Sequence, residues 1–215
     1  MSDKNIGSRK VVYVDEVLLD VSEGVYEPDE DSFMLVDYLV RLLEDSNGSK
    51  LIVDVGTGCG IVAIVSAKRG ARVLATDISF EAIKCAKENT NRLKLTNYIE
   101  FIITDLISPI RRFSRADLIV MNPPYLPVDD EYDEILKESH TWCGGATGVE
   151  ISKKLVEQVF LKNIIKVDRV VLIISTLACY EKLIEYVKSQ GLSVTIKGRK
   201  KLPFFEELLL IEISK

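Results

Sequence analysis

KLIVDVGTGCG, residues 50–60, joins two unlike halves. KLIVDV is a run of strand length, apolar on both faces, as a strand covered on both sides of a parallel sheet requires. GTGCG places glycine at 56, 58 and 60, and Cys59 to Arg69 then reads as a helix that Gly70 ends. Strand, glycine loop and helix together open a βαβ unit. Downstream the same alternation continues. RVLATD (72–77) is a strand, and Ser79 supplies the side-chain oxygen that caps a helix reaching about Arg92. YIEFIITD (98–105) and ADLIVM (116–121) add two strands, followed by a polar loop, a helix from about Val149 to Ile165, the strand DRVVLIIS and a helix from about Cys179 to Gln190. Upstream, Glu30 to Glu44 sets Phe33, Met34, Val36, Leu39, Val40 and Leu43 at helical spacing before SNGS, and VVYVDEVLLDV (11–21) alternates as a short hairpin. LSVTIKG and EELLLIEIS have no helix between them, so they pair antiparallel at the end of an otherwise parallel sheet. The expected fold is α/β and Rossmann-like, with a mostly parallel seven-stranded sheet, an antiparallel C-terminal strand pair and a short N-terminal hairpin extension.

Composition narrows the function. A chain of 215 residues with 47% apolar content fits one domain with ample core. No stretch reaches the ~18 consecutive apolar residues of a membrane span, and MSDKNIGSRK lacks the apolar centre of a secretory signal, so a soluble, cytoplasmic protein is expected. Cys59, Cys85, Cys143 and Cys179 contain no C-x-x-C pair and stand with a single histidine, His140, so neither a zinc site nor any other metal is expected. A net charge of −5 disfavours a broad phosphate-binding face, and the basic run Lys197 to Lys201 reads as a solvated hairpin.

In such sheets the ligand lies beyond the carboxyl ends of the strands. Asp54-Val55-Gly56-Thr57-Gly58-Cys59-Gly60 follows the first core strand, Asp77 the second and Asp105 the third. A glycine loop admits close approach to the backbone, and an acid at the next strand end grips a ribose diol. Dinucleotide enzymes share that much. Here the spacing is G-x-G-x-G, and Asp54 stands where a pyrophosphate would be repelled. A cationic amino-acid end suits the site, which points to S-adenosylmethionine, with Asp105 accepting from the adenine amino group and Leu106 packing on the ring.

MNPPYLP (121–127) ends the strand ADLIVM. Two prolines after Asn122 make a rigid, extended segment that offers carbonyls but almost no N–H groups, beside the flat ring of Tyr125. A proline-capped strand end is the plain alternative.

Taken together these stretches resemble a class I methyltransferase. DVGTGCG resembles the cofactor loop, Asp77 with Ile78 the ribose site, Asp105-Leu106 the adenine site, and NPPY the signature of enzymes that methylate a nitrogen on a planar system. Within that class the chain is most similar to the archaeal and eukaryotic branch of the HemK-like release-factor glutamine methyltransferases. The likeness runs from VYEPDEDSFMLVDYL (25–39) through NPPYLP to TWCGGATGVE (141–150) and on to the terminal strands. It implies a catalytic domain over 29–215 after an extension over 1–28, and S-adenosylmethionine as cofactor. The implied reaction is N5-methylation of the glutamine in the Gly-Gly-Gln motif of a class I translation release factor. Asn122 and Pro123 would accept the two amide N–H bonds, Pro124 would fix the carbonyl, and the ring of Tyr125, rather than its hydroxyl, would lie over the amide. Tyr26, Glu27 and Ser32 would cover the cofactor's methionine end, a reading the resemblance favours over plain strand-to-helix packing and capping by Tyr26 and Glu27, with backbone satisfaction the alternative for Ser32. Trp142, Gly144 and Gly145 would shape the substrate mouth. Bacterial members carry a helical substrate-binding domain ahead of the catalytic one, whereas about twenty-five residues precede Tyr26 here. An adenine-N6 methyltransferase of DNA or RNA, a protein lysine methyltransferase and a non-catalytic cofactor-binding scaffold are the alternatives. Finally, the resemblance implies a small zinc-binding activator protein, and the apolar strand 98–104, at the sheet edge in this family's strand order, is the expected docking edge.

Overall fold

Residues 51–55 form the centre of the molecule because every position except the first is covered, Ile52 from one side and Val53 and Val55 from the other. The computed structural model describes residues 10–44, 50–110, 115–127 and 144–215, and His140, Trp142 and Cys143 lie outside them. In chain order the elements are β1 (Lys10–Val14), β2 (Val17–Val21), α1 (Glu30–Glu44), β3 (Leu51–Val55), α2 (Ile61–Lys68), β4 (Arg72–Asp77), α3 (Phe80–Arg92), β5 (Ile99–Ile103) and β6 (Leu118–Met121). They continue with α4 (Glu150–Val156), prolonged by a π turn over Glu157–Leu161, then β7 (Arg169–Ser175), α5 (Tyr180–Ser189), β8 (Ser193–Lys201) and β9 (Glu207–Ser214). The hairpin β1-β2 is a sheet of its own, and the main sheet has the order β5-β4-β3-β6-β7-β9-β8. Its first five strands are parallel, whereas β9 runs antiparallel to both β7 and β8.

Side-chain alternation divides the core in two. Ile52, Leu118, Val120, Val171, Ile173, Leu208 and Leu210 face α1, α2 and the hairpin, while Val53, Ile119, Met121, Val170, Leu172, Leu209 and Ile211 face α4 and α5. The period of two explains why these strands are apolar throughout. Helix α2 is buried along its length, from Ile61 to Ala67, because α1 covers the side turned from the sheet. The hairpin is fastened to the helices by polar contacts: the Arg69 guanidinium donates to both carboxylate oxygens of Asp15 at 2.6 and 2.8 Å, and Asn89 of α3 exchanges hydrogen bonds with the backbone of Asp20. Asn89 Nδ2 also donates to the carbonyl of Cys59 at 2.9 Å, so the same side chain anchors the glycine loop.

Two expectations are adjusted. The helix begun at Glu150 stops at Leu161 rather than Ile165, with Asn163 in the left-handed region at φ 49°. The basic run Lys197 to Lys201 does lie in an exposed hairpin, the antiparallel pair β8-β9, but the strand continues through the run to Lys201; Lys197, Arg199 and Lys200 pair with Glu212, Glu207 and Glu30, and a bulge between Ile196 and Gly198 interrupts the apolar alternation.

Candidate active site

Strands β3, β4, β5 and β6 all end at the same edge of the sheet, and the loops leaving them line a cavity of 590 Å³. After β3 the chain turns through Gly56 at φ 71° and Gly58 at φ 56°, held by Gly56 N–H and Thr57 N–H donating to the carbonyl of Thr76 at 2.8 and 2.9 Å. An added Cβ at either glycine would meet no atom within 4 Å, so the loop presents bare backbone to open space. Gly60 differs. Its Cβ would stand 3.0 Å from Ala86 Cβ, and it lies outside the cavity lining, serving the packing of α2 against α3.

Asp54, at the end of β3, is buried and accepts from Thr57 Oγ1 at 2.7 Å. Burial raises its pKa to about 7, the Thr57 bond opposes that rise, and the charge of Asp77 adds to it. Asp77 accepts from Gly58 N–H at 3.0 Å and Ser79 N–H at 2.9 Å, and burial lifts its pKa above the usual value. Ile78, beside it, is exposed along the cavity wall. Asp105 pairs with Lys154 of α4, and Leu106 takes φ 55°, an uncommon conformation for a residue with a branched side chain. The π turn seats this loop: Gln158 Oε1 accepts from Ile107 N–H at 3.2 Å while its Nε2 donates to Ser108 Oγ at 3.2 Å.

The fourth loop is Asn122-Pro123-Pro124-Tyr125, all of which line the cavity. Asn122 Nδ2 donates to Ser32 Oγ at 3.4 Å, whereas Asn122 Oδ1 is buried with no hydrogen-bond partner among the described residues. The loop is backed by glycines. A Cβ on Gly144 would stand 2.7 Å from the carbonyl oxygen of Pro124, and one on Gly148 2.2 Å from that of Tyr125, while Gly144 N–H donates to the carbonyl of Leu126 at 2.9 Å. Gly145 lies at φ 89° against Glu150 and outside the lining.

Two acids of the cavity wall, Asp31 and Glu206, escaped the sequence reading. Asp31, 3% exposed at the start of α1, accepts at Oδ2 from both the Tyr26 hydroxyl at 2.8 Å and the Tyr125 hydroxyl at 3.1 Å, and at Oδ1 from Ser32 N–H at 2.5 Å. Burial, reinforced by the charge of Asp31, raises both phenol pKa values, so both tyrosines remain donors at neutral pH. The dipeptide Asp31-Ser32 thus touches both ends of the Asn-Pro-Pro-Tyr loop. Tyr125 is fixed through the hydroxyl that the sequence reading set aside. Glu27 stands outside the lining and pairs with Lys10, whereas Tyr26 and Ser32 line the cavity.

No Lys or Arg side chain lines the cavity among the described residues, whereas Asp31, Asp54, Asp77, Asp105 and Glu206 do. Such a wall repels a pyrophosphate and suits a ligand with hydroxyls, an amine and a cationic centre.

Comparison with known proteins agrees with that chemistry. The methyltransferase small domain matches residues 24–140. A Methanocaldococcus jannaschii protein, provisionally named a protein N5-glutamine methyltransferase, is 35% identical over 206 residues, covering 94% of this chain and 97% of its own. The chain belongs to the methyltransferase small domain family. It is a HemK-like class I enzyme dependent on S-adenosylmethionine. Methyltransferase HEMK2 of Homo sapiens is 34% identical to the methyltransferase over 132 residues, 59% of this chain and 61% of that protein. Among solved structures, one chain of the E. cuniculi Mtq2-Trm112 complex superposes with a TM-score of 0.63 over 89% of this chain and 99% of that chain at 23% identity. The T. thermophilus 16S rRNA N2 G1207 methyltransferase, solved with S-adenosylmethionine and guanosine, gives 0.69 over 97% of this chain and 50% of that one at 18% identity. Both show the shared fold. The bare glycine loop and a wall whose charged residues are all acidic fit S-adenosylmethionine, which carries no phosphate.

Proposed function

We propose that this methyltransferase acts on the side-chain amide nitrogen of glutamine in the Gly-Gly-Gln motif of a class I translation release factor. One observation carries the reading: Asn122, on the wall of the cavity at the rigid end of β6, has a buried acceptor, Oδ1, with no hydrogen-bond partner among the described residues. Such an atom costs free energy, of order 1–3 kcal/mol, unless something donates to it. A planar NH₂ group presents two donors, one for Asn122 Oδ1 and one for the neighbouring carbonyl of Pro123. The relatives named as N5-glutamine methyltransferases favour glutamine over adenine, and the acidic wall disfavours a phosphodiester.

Bound S-adenosylmethionine supplies a methyl group on a sulfonium, already activated for transfer. The protein's task is orientation. Asp77 and Ile78 would hold the ribose, Asp105 and Leu106 the adenine, Asp54 and the loop Gly56-Thr57-Gly58 the amino-acid end, and Tyr26 with Ser32 the remaining wall. Asn122 Oδ1 and the Pro123 carbonyl would accept the two amide N–H bonds, enriching the nitrogen in electrons and aiming it at the methyl group, while Tyr125, pinned by Asp31, bounds the slot.

The reading extends to a partner. Strand β5 is an edge of the sheet, with Tyr98 45% and Ile103 50% exposed, which supports a small zinc-binding activator adding a strand there. The cytoplasm, where release factors work, is the matching location, and no helix among the described residues is long and apolar enough to cross a membrane. Incubation with labelled S-adenosylmethionine and, in separate reactions, release factor, histone and nucleic acid tests the substrate. Label on the release-factor glutamine is expected; label confined to nucleic acid or histone refutes the reading.

A further inference from the structure

The turn between β8 and β9 displays two phenylalanines to solvent, Phe204 at 95% and Phe205 at 104% relative exposure. Both also occupy the left-handed region, at φ 60° and 67°, where a residue with a Cβ is disfavoured. Neither burial nor local conformation accounts for aromatic residues at these positions. The turn is nevertheless well fastened. Leu202 N–H donates to the carbonyl of Glu206 at 2.8 Å, the Leu202 side chain packs on the core, and Glu206 accepts from Ser175 Oγ at 2.6 Å. Glu206 lines the cavity that holds Asn122 and Tyr125, so the residue after the phenylalanine pair is part of the cavity wall. The phenylalanine turn therefore adjoins the cavity wall through Glu206.

We propose that Phe204 and Phe205 form a docking platform for the protein substrate, gripping an apolar surface outside the methylated motif. The inference rests on the release-factor reading above. A Gly-Gly-Gln motif has two glycines that offer no side chains to hold, so most of the affinity must come from surface beyond the glutamine. Exposed aromatic anchors on a turn that adjoins the cavity wall are suited to that contact, since buried rings dominate interface energetics. Their strained backbone fits a surface kept for binding at the expense of stability.

The test replaces both residues by glycine, which removes the rings and relieves the positive φ at once. Binding of the release-factor domain bearing the motif is measured by calorimetry, and transfer to that domain and to a short glutamine peptide is measured separately. Expected are about tenfold or more weaker binding and higher KM for the domain, unchanged kcat/KM for the peptide, and an unchanged or raised Tm. A structural role for the rings predicts a lowered Tm instead. Equal binding by variant and wild type overturns the platform while leaving the function intact, as does a wild-type dimer that the variant converts to monomer without change in KM. With the activator present, wild-type binding that the variant weakens but no transfer overturns the function and keeps the platform, and neither binding nor transfer overturns both.

Discussion

Asp31→Asn isolates the contact that the structure adds to the site. The carboxylate receives Ser32 N–H at Oδ1 and two tyrosine hydroxyls at Oδ2. An asparagine of the same shape cannot serve all three donors. With its oxygen toward the hydroxyls, its NH₂ group opposes Ser32 N–H; with its oxygen toward Ser32 N–H, the NH₂ group faces Tyr26 and Tyr125, both of which lose their acceptor. A hydrogen bond to a charged partner contributes about 1.5–3 kcal/mol. The NH₂ group can donate to one hydroxyl in return, so the net loss is about one such bond, or roughly tenfold to a hundredfold in kcat if Tyr125 must be held for transfer. Tyr125→Phe should produce a loss of similar size, and the double variant little more than either, since both remove one contact. Steady-state kinetics on the release-factor domain, with circular dichroism to confirm folding, reads the result. Folded Asp31→Asn with wild-type kcat, or full additivity in the double variant, would refute the assignment of Asp31 as the residue that positions Tyr125.

Other expectations follow from the same geometry. Gly148→Ala places a methyl group 2.2 Å from the Tyr125 carbonyl oxygen and at φ 74°, so kcat should fall by about tenfold or more while cofactor affinity, measured by calorimetry, changes little. Asp77→Ala should weaken S-adenosylmethionine by about tenfold to a hundredfold, through lost ribose contacts and a loosened Gly58 backbone, with the fold retained; unchanged affinity would remove this residue from the site. Because burial holds Asp54 near pKa 7 in the folded chain and its unfolded value is near 3.8, the folded state binds more protons between those values. Stability of the ligand-free protein should therefore decline as pH rises from about 4 to 7, a slope that Asp54→Asn makes shallower while the raised Asp77 keeps part of it. Binding of the cationic cofactor should release protons below pH 7, which calorimetry in buffers of different ionisation enthalpy detects.

The fold was legible because the chain's strongest signals are two-sided apolar runs of strand length. KLIVDV, ADLIVM and DRVVLIIS appear as β3, β6 and β7, and α1 spans Glu30–Glu44 as the helical spacing predicts. Ser79 caps α3 by accepting from Ala82 N–H at 3.2 Å, a local interaction that sequence can announce. Strand β8 was shortened in the reading because an edge strand facing water carries charge and a bulge in place of alternation. The cavity's glycines and acids were visible as loops after strands. Asp31 was not. Its partner lies 94 residues away, and an acid in a helix's first turn has a sufficient local explanation in the helix dipole. Gly148 was hidden for a similar reason, since the carbonyl it clears belongs to Tyr125 in another loop.

The central claim is that Asn122 Oδ1 receives a glutamine amide. Its most direct test is fragment mass spectrometry of a release-factor domain after incubation with S-adenosylmethionine and either wild type or Asn122→Ala. One added methyl on the glutamine of the Gly-Gly-Gln motif, made by wild type and lost by orders of magnitude in a variant that still binds cofactor, is the predicted result. A methyl on any other residue, or a variant that transfers at the wild-type rate, would contradict it.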